Sequence, residues 1–372
     1  WVRRMGRAPA EYPLGIESLR IWDSLNARTG RETGFRRSGV VYAATSAAEL
    51  AWLDTVEQDA RTFGMEIRRL DRAQIAGLFP GVNLAAQAAL LSADDGRAEP
   101  ALSTAALALA ARARGAAVMT GCAARAVETS AGRVSAVISE RGRIATGAVI
   151  LAGGVWSRLF AGNLGVDLPQ LRVRASVLRT GPAPGGPLHA VGNGQFGLRP
   201  RLDGGYTIAP RGRSPVQITP DAFRLLPKFL PGMRRNHREI ALTLDHAMWE
   251  GLRTPRRWAE DVVSPFEQCR VLGPEPAPRS LARAMRAVCA TFPVFRGVKV
   301  AESWGGIIDV TPDGVPVIDH APGLAGLTVA TGFSGHGFGI GPAAGQLAAE
   351  LATGARPLVD PHPFRLSRFG GM

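Results

Sequence analysis

Residues 327–354 read LTVATGFSGHGFGIGPAAGQLAAELATG, and this stretch decides the fold. The β-branched run 327–331 predicts a buried strand, and residues 343–351 are rich in strong helix formers. Pro342 stands where the first turn of that helix would favour proline, and Gly354 is placed to end the helix. Between strand and helix, glycine occupies alternate positions, 335, 337, 339 and 341.

A glycine-rich turn that leads a strand into a helix N-terminus is suited to bind an anion. Backbone N–H groups and the positive end of the helix dipole face one point there, and the absent side chains let a flat ligand touch the backbone. The glycines fit neither the G-x-G-x-x-G fingerprint nor a P-loop. A simple strand-to-helix crossover is the alternative that the pattern leaves open.

Two further stretches give the turn a family context. Residues 302–318 read ESWGGIIDVTPDGVPVI and lead into GFSGHGF at 332–338. In this order they resemble the C-terminal flavin motif of the D-amino-acid oxidase, glycine oxidase and sarcosine oxidase superfamily, which includes proteins similar to D-amino-acid dehydrogenase. Residues 149–157, VILAGGVWS, resemble the motif that touches FAD in this superfamily, although a buried strand and turn is the alternative.

The resemblance implies an α/β protein of two domains, a glutathione-reductase-type FAD-binding domain and a substrate domain around a mixed or antiparallel sheet. The FAD-binding domain is predicted from residues 1–36, 95–165 and 301–356, the substrate domain from 37–94 and 166–300, and a C-terminal tail from 357–372. Residues 1–7, WVRRMGR, resemble the segment that follows the first βαβ unit in the family. We therefore expect the G-x-G-x-x-G unit upstream of Trp1, and weak flavin binding and aggregation of this chain when it is expressed alone.

Local patterns predict several other elements. An apolar set from Leu14 to Leu25 indicates an amphipathic helix, and Ser46 is suited to cap the next one. Residues 147–151 are wholly apolar and predict a central parallel strand. Further predictions are strands at 39–43, 118–120, 124–128 and 136–138, a hairpin over 196–209, helices at 101–114, 222–230 and 283–291, and an irregular segment at 249–266.

Composition limits the classes of function. The net charge is +13, and Lys228 and Lys299 are the only lysines. The arginines are scattered rather than clustered with aromatic residues, which argues against nucleic-acid binding and favours compositional bias over a field that attracts anions. The three cysteines form no C-x-x-C pair and predict buried free thiols. The six histidines show no metal-ligand spacing, so no metal site is predicted.

No signal peptide or membrane-spanning stretch is evident, and the resemblance is to bacterial-type enzymes. We predict a cytoplasmic location, with peripheral contact to the inner membrane or to a partner subunit left open. The expected partner is a small amine or amino-acid substrate.

The resemblance implies oxidation of the C–N bond of an amino acid or N-substituted glycine by hydride transfer to FAD. A non-catalytic fragment or partner subunit is the rival interpretation.

No residue is singled out as a certain catalytic acid or base. His336 is expected to contact the flavin without acid–base duty, and Asp309 and Asp313 to fix the loop before the last strand rather than to act on substrate. The predicted cofactor contacts are Trp1, Val2, Arg3, Ala124, Ala152, Gly153, Trp156, Gly306, Gly332, Gly335, His336, Gly337, Phe338 and Gly339.

A substrate carboxylate calls for a bidentate arginine. Arg199 is the preferred candidate because it lies on a predicted strand and matches an x-R-P pattern of the family; a solvated surface role is the alternative. Arg3 and Arg4 are second choices. Trp304 is expected to contact the substrate or to fill the core.

Overall fold

A computed structural model describes residues 1–212, 214–235 and 240–370. Helices and strands alternate along the chain, which confirms the mixed helix-and-sheet class. The helices are α1 (Tyr12–Thr29), α2 (Ala47–Thr62), α3 (Arg72–Leu78), α4 (Pro100–Ala113), α5 (Ser157–Asn163), α6 (Pro220–Arg224), α7 (Leu226–Arg235), α8 (Ala247–Arg253), α9 (Pro265–Gln268), α10 (Pro278–Thr291) and α11 (Gly337–Thr353). The strands are β1 (Val40–Ala44), β2 (Arg68–Leu70), β3 (Ala88–Ser92), β4 (Ala124–Ser130), β5 (Arg133–Ser139), β6 (Gly142–Ala145), β7 (Val149–Leu151), β8 (Leu171–Thr180), β9 (Ala190–Gly192), β10 (Phe196–Pro200), β11 (Tyr206–Pro210), β12 (Ser214–Gln217), β13 (Ile240–Thr243), β14 (Val300–Val310), β15 (Val317–His320) and β16 (Leu327–Thr331).

The chain forms two compact units whose boundaries differ from the predicted domains. The first unit contains Trp1–Ala117, Ala175–Gly212 and Pro274–Gly306, and the second contains Val118–Arg174, Arg213–Gly273 and Ile307–Met372. The N-terminal segment 1–36 thus belongs to the same unit as 37–94, from which the prediction had separated it. The assignment of flavin and substrate to particular segments stays a prediction.

The first unit is built on one sheet. The strands of this sheet that lie in the first unit have the order β11-β10-β9-β1-β3-β2, and the end of β8 pairs with β11; within the described residues the whole sheet has ten strands in the order β13-β12-β8-β11-β10-β9-β1-β3-β2, with β14 paired to β8. The pairs within the first unit are antiparallel apart from β1 and β9, which run parallel. The predicted hairpin over 196–209 is confirmed as β10 and β11, with Arg199 opposite Thr207.

Helix α10 covers the hairpin of the first unit. Leu281, Ala284 and Val288 recur at helical spacing and are buried against a core that includes Leu198 and Ile208. Complete burial of a leucine or isoleucine side chain contributes about 1.5–3 kcal/mol, so this layer stabilises the strand that carries Arg199.

The second unit contains two separate three-stranded sheets. One is the meander β4-β5-β6, and the other has the order β15-β16-β7. Strands β16 and β7 are parallel, with Leu327 opposite Val149 and Val329 opposite Leu151. Strand β16 is buried at every position, as predicted. Helix α11 follows it and ends at Gly354, whose φ of 69° confirms the predicted left-handed cap.

Some predictions about local structure were wrong. Helix α11 begins at Gly337, so Pro342 lies inside it and removes one helical donor instead of opening the first turn. The strand 147–151 is shorter than predicted and is not central: within the described residues β7 pairs only with β16, and Ile150 is exposed. Residues 118–120 form no strand, because both apolar side chains there face solvent.

Other differences concern the segments outside the sheets. Residues 222–230 form the two helices α6 and α7, separated at Leu225, and α8 occupies the start of the segment predicted to be irregular. The cysteines are free, as predicted, but Cys269 is exposed and Cys122 and Cys289 are only partly buried. None of the helices in the described part of the chain is both long and apolar enough to cross a membrane.

Candidate functional site

Two glycine-rich bends meet at one edge of the sheet in the second unit. Because β7 and β16 are parallel neighbours, their carboxyl ends lie side by side, a position where α/β sheets bind ligands. The bend 152–154 follows β7, and the turn 332–336 follows β16. The carbonyl of Gly154 accepts a hydrogen bond from Thr331 Oγ1 at 3.0 Å, so the two bends are joined directly. The structure therefore brings together two of the motifs that the sequence singled out.

Asp309 organises this edge. Its Oδ2 accepts hydrogen bonds from the backbone N–H of Gly332 at 2.7 Å and from Gln170 Nε2 at 2.9 Å, and lies 3.0 Å from Thr331 Oγ1. Its carbonyl accepts from Ser334 N at 2.9 Å. Asp309 thus holds the start of the turn after β16 through its carboxylate and the middle of that turn through its backbone carbonyl. Asp309 was expected to fix the loop before the last strand, and the structure corrects this to the turn after that strand.

The turn itself needs glycine for steric reasons. Gly332 and Gly335 have φ of 74° and 81°, where a side chain is disfavoured. A Cβ on Gly332 would lie 2.4 Å from Thr311 Cγ2, and one on Gly337 would lie 2.9 Å from Phe333 Cβ. Helix α11 then begins with no acidic residue in its first turn and no side-chain cap from His336. No carboxylate of that turn offsets the positive end of the helix dipole.

The other predicted cofactor contacts of the second unit lie after β7, at the start of α11 and in the other three-stranded sheet. Ala152 and Gly153 form the exposed start of the bend after β7, and Trp156 stands edge-to-face with Phe266, with ring centroids 5.6 Å apart. Ala124 opens β4, a strand of the other three-stranded sheet. Phe338 and Gly339 lie in the first turn of α11.

In the first unit, the N-terminal segment is held by a buried carboxylate. Asp95 is fully buried and accepts hydrogen bonds from the backbone of Arg4 at 2.9 Å and of Met5 at 3.1 Å. Val2 and Gly96 exchange two backbone hydrogen bonds beside it. The side chain of Arg4, a second-choice substrate residue, is paired with Asp94 at 3.0 Å and with Asp95 at 3.3 Å.

Arg199 is buried and already bonded. Its Nη1 donates to Glu99 Oε1 at 3.1 Å and to the carbonyl of Ala98 at 2.9 Å, and its Nη2 donates to Thr207 Oγ1 at 3.0 Å. Glu99 also lies within ion-pair distance of Arg97 and Arg201. Burial lowers the pKa of Arg97; Glu99 opposes that shift, and the charge of Arg199 adds to it. Glu99 was missed because 100 residues separate it from its partner.

Two arginines flank an aromatic cluster of the same unit. The guanidinium carbons of Arg3 and Arg211 lie 5.7 and 5.4 Å from the centroid of the Tyr42 ring. Trp1 and Trp52 stand 5.6 and 5.0 Å from the same ring, centroid to centroid. Such cation–π pairs hold a guanidinium without neutralising its charge.

Gly192 makes room for this cluster. A Cβ there would lie 2.9 Å from Trp1 and 3.2 Å from both Tyr42 and Arg211. Arg211 and Tyr42 were not predicted as site residues. The available signal was the position of Arg211 directly after a predicted strand that pairs with the strand of Arg199.

Arg3 differs from Arg199 in its bonding. Its Nη1 donates to the carbonyls of Met5 and Gly6, at 2.5 and 2.8 Å. Within the described residues, neither Arg3 nor Arg211 has a carboxylate within ion-pair distance.

Trp304 is 39% exposed on β14, and a Cβ on Gly306 would meet open space. Among all the residues that the structure describes, no group of three or more His, Cys, Asp and Glu side chains is placed to hold a metal ion.

Comparison with known proteins gives a consistent assignment. A family model described as "FAD dependent oxidoreductase" (DAO) matches residues 1–351. The structure of an L-amino acid deaminase from Proteus myxofaciens, in complex with anthranilate, superposes with a TM-score of 0.94 at 31% identity, covering 100% of this chain and 84% of that one. An N-methyl-L-tryptophan oxidase from Salmonella arizonae is 25% identical over 98% of this chain and 85% of its own length.

A glycine oxidase from Pseudomonas aeruginosa is 26% identical over 62% of this chain. The matched part spans 49% of that relative, about half its length.

Proposed function

Because the chain belongs to the FAD-dependent oxidoreductase family, we propose that it oxidises the C–N bond of an amino acid or N-substituted glycine. The relatives named above are an amino-acid deaminase, an N-methyl amino-acid oxidase and a glycine oxidase, which supports this substrate class. The observation that carries the proposal is the Asp309 carboxylate, which bonds the Gly332 N–H at 2.7 Å and so fixes the glycine turn in front of α11.

The residues at this edge fit FAD. A helix start without acidic residues and a turn with glycines at positive φ offer a planar anionic group both backbone approach and a favourable dipole. We propose that Gly332, Gly335 and Gly337 hold the cofactor with His336 and Phe338. When bound, FAD supplies the hydride acceptor. The helix dipole then stabilises negative charge that develops nearby, and Asp309 keeps the turn in place.

The first unit supplies candidates for the substrate carboxylate. A carboxylate binds best to a guanidinium whose donors are not already taken by an acid. Within the part of the chain that the structure describes, Arg3 and Arg211, beside Tyr42, meet this condition. Arg199 would first have to exchange its bond to Glu99, so we place Arg211 and Arg3 ahead of it. Trp304 remains a proposed apolar contact. A cytoplasmic location and contact with a membrane or a partner subunit also remain predictions.

The experiment is a test of colour and turnover on the full-length protein. Purified protein that binds flavin is yellow, and anaerobic addition of an amino acid that is a substrate should bleach it. Glycine, N-methylated and larger L- and D-amino acids form the panel, with the decarboxylated amines as matched controls. Protein that is folded but colourless, and that takes up no added FAD, would favour the non-catalytic partner subunit instead.

A further inference from the structure

A second cationic site lies in the second unit, and none of its residues is assigned above to substrate. It is a cavity of about 70 Å³ between α5, the start of β8, α6 and α8. This volume is the space open to the centre of a water-sized sphere, and about 10–15 Å³ of it holds one water. The cavity therefore admits a small group of several heavy atoms. Four arginines line it, namely Arg158, Arg172, Arg224 and Arg256.

The charges that line the cavity do not balance. Asp221 is the acid among the lining residues, and it lies 3.0 Å from Arg158 Nε, 3.2 Å from Arg224 Nη1 and 3.9 Å from Arg256 Nη2. Among the described residues that line the cavity, four guanidinium groups surround one carboxylate, an excess of three positive charges. Outside the lining, Asp167 is shared between Arg158 and Lys228 and adds no net negative charge.

Arg172 is the decisive member of the cavity. Its guanidinium carbon lies 5.8 Å from the centroid of the Trp156 ring, and no carboxylate of the described residues lies within ion-pair distance of it. Burial lowers the pKa of Arg172, and the charges of Asp221 and Glu250 only partly oppose this. A largely buried cation without an acid partner costs free energy, which a bound anion would offset.

We propose that this cavity binds the phosphate group of a phosphomonoester. Arginines bind phosphate through two parallel N–H···O bonds, and a dianion offsets most of three positive charges. Thr219 lines the same space, and its side chain carries a hydroxyl, a neutral donor. Exposed apolar side chains on the same helices, including Phe223 on α6 and Trp249 and Leu252 on α8, make the headgroup of an anionic lipid one source of that phosphate and a soluble metabolite the other.

The test measures phosphate binding to the flavin-loaded full-length protein. Isothermal titration with inorganic phosphate should show saturable binding to one site. Arg172→Leu should weaken it by roughly tenfold or more, the value of one charge-assisted contact. Arg256→Leu is the second variant; its side chain is 52% exposed, so the fold tolerates the change. Arg253→Leu, an exposed arginine of α8 outside the cavity, is the matched control and should bind phosphate like the parent.

Two results would overturn the proposal. Binding that is absent, or equally strong in the Arg172, Arg256 and Arg253 variants, would show that the cavity is not a phosphate site. If phosphate binds to flavin-free protein but not to flavin-loaded protein, the arginines bind the phosphates of FAD instead. Two binding experiments then identify the molecule that carries the phosphate. One measures binding to vesicles of phosphatidylcholine with or without phosphatidic acid, and the other measures binding of soluble glycerol 3-phosphate. Binding in either experiment that is lost in Arg172→Leu supports the proposal.

Discussion

Arg199 and Glu99 form a buried ion pair, with Nη1 of the arginine 3.1 Å from Oε1 of the glutamate. Removal of one partner from such a pair leaves a buried charge and costs about 3–5 kcal/mol. We expect Glu99→Gln to lower the free energy of unfolding by an amount in this range, because Arg97 and Arg201 also depend on this carboxylate. Urea denaturation of the full-length protein measures the change.

The matched control for Glu99 is Glu302, whose Oε2 lies 2.8 Å from Arg179 Nε. Both side chains of that pair are substantially exposed, 38% for Arg179 and 55% for Glu302. Exposed pairs contribute about 0–1 kcal/mol, so Glu302→Gln should hardly move the urea midpoint. Similar losses for the two variants would contradict the structural role of Glu99.

Gly337 gives a test of the turn before α11. A Cβ there would lie 2.9 Å from Phe333 Cβ, so Gly337→Ala must displace the turn. The expected result is a loss of bound flavin that exceeds any loss of folded protein. Flavin absorbance per mole of protein and circular dichroism measure the two quantities. Gly345→Ala, in the same helix with open space around its Cβ, should keep its flavin and gain about 0.5–1 kcal/mol of stability. Equal flavin content in both variants would place the cofactor elsewhere.

His189 predicts part of the pH dependence of stability. Burial lowers its pKa, so the unfolded chain binds a proton at a higher pH than the folded protein does. Stability should therefore fall as the pH drops below about 6.5, the ordinary histidine value, and continue to fall down to the folded pKa. Urea midpoints at about pH 7.5 and 5.5 bracket the ordinary value. His189→Gln should reduce the difference between them, whereas His246→Gln, at a side chain 66% exposed, serves as the control. If the urea midpoints of His189→Gln differ between the two pH values as much as those of the parent, His189 does not contribute to the pH dependence of stability.

The strand, turn and cap of residues 327–354 were predictable because their signals are local. A β-branched run and a C-terminal glycine act within a few residues, and so does Ser46, whose side chain caps α2 as expected. The start of α11 was predicted wrongly from Pro342. Proline is favoured in the first turn of a helix, but it is tolerated in a helix interior when tertiary packing holds it.

The bonding of the candidate sites was not predictable in the same way. Glu99 lies 100 residues from Arg199, and Gln170 lies 139 residues from Asp309. No local pattern marks such pairs, because they are created by the packing of strands that are distant in sequence. The motif 149–157 and the turn 332–338 were each visible alone, but the bond from Thr331 to Gly154 that joins them was not.

Arg211 gives the sharpest test of substrate binding. It is exposed beside Tyr42, with no carboxylate of the described residues at ion-pair distance, so a substrate carboxylate has no internal partner to displace. Arg211→Leu should lower kcat/KM for the amino acid about ten- to a hundredfold, the loss of a charge-assisted pair. Its flavin content and urea midpoint should match the parent, and turnover of the corresponding amine without a carboxylate should not change.

Arg199→Lys tests Arg199 against Arg211 for this role. The lysine keeps the charge but loses the planar fork. If Arg199 pairs only with Glu99, this variant should show a lower urea midpoint and nearly parental KM in the protein that remains folded. If Arg199 binds the carboxylate, KM should rise more than kcat falls for the amino acid and stay constant for the amine. Steady-state kinetics with both substrates, on both variants, thus decide between Arg211 and Arg199. A loss shared equally by the amino acid and the amine would exclude both and leave Arg3 as the candidate.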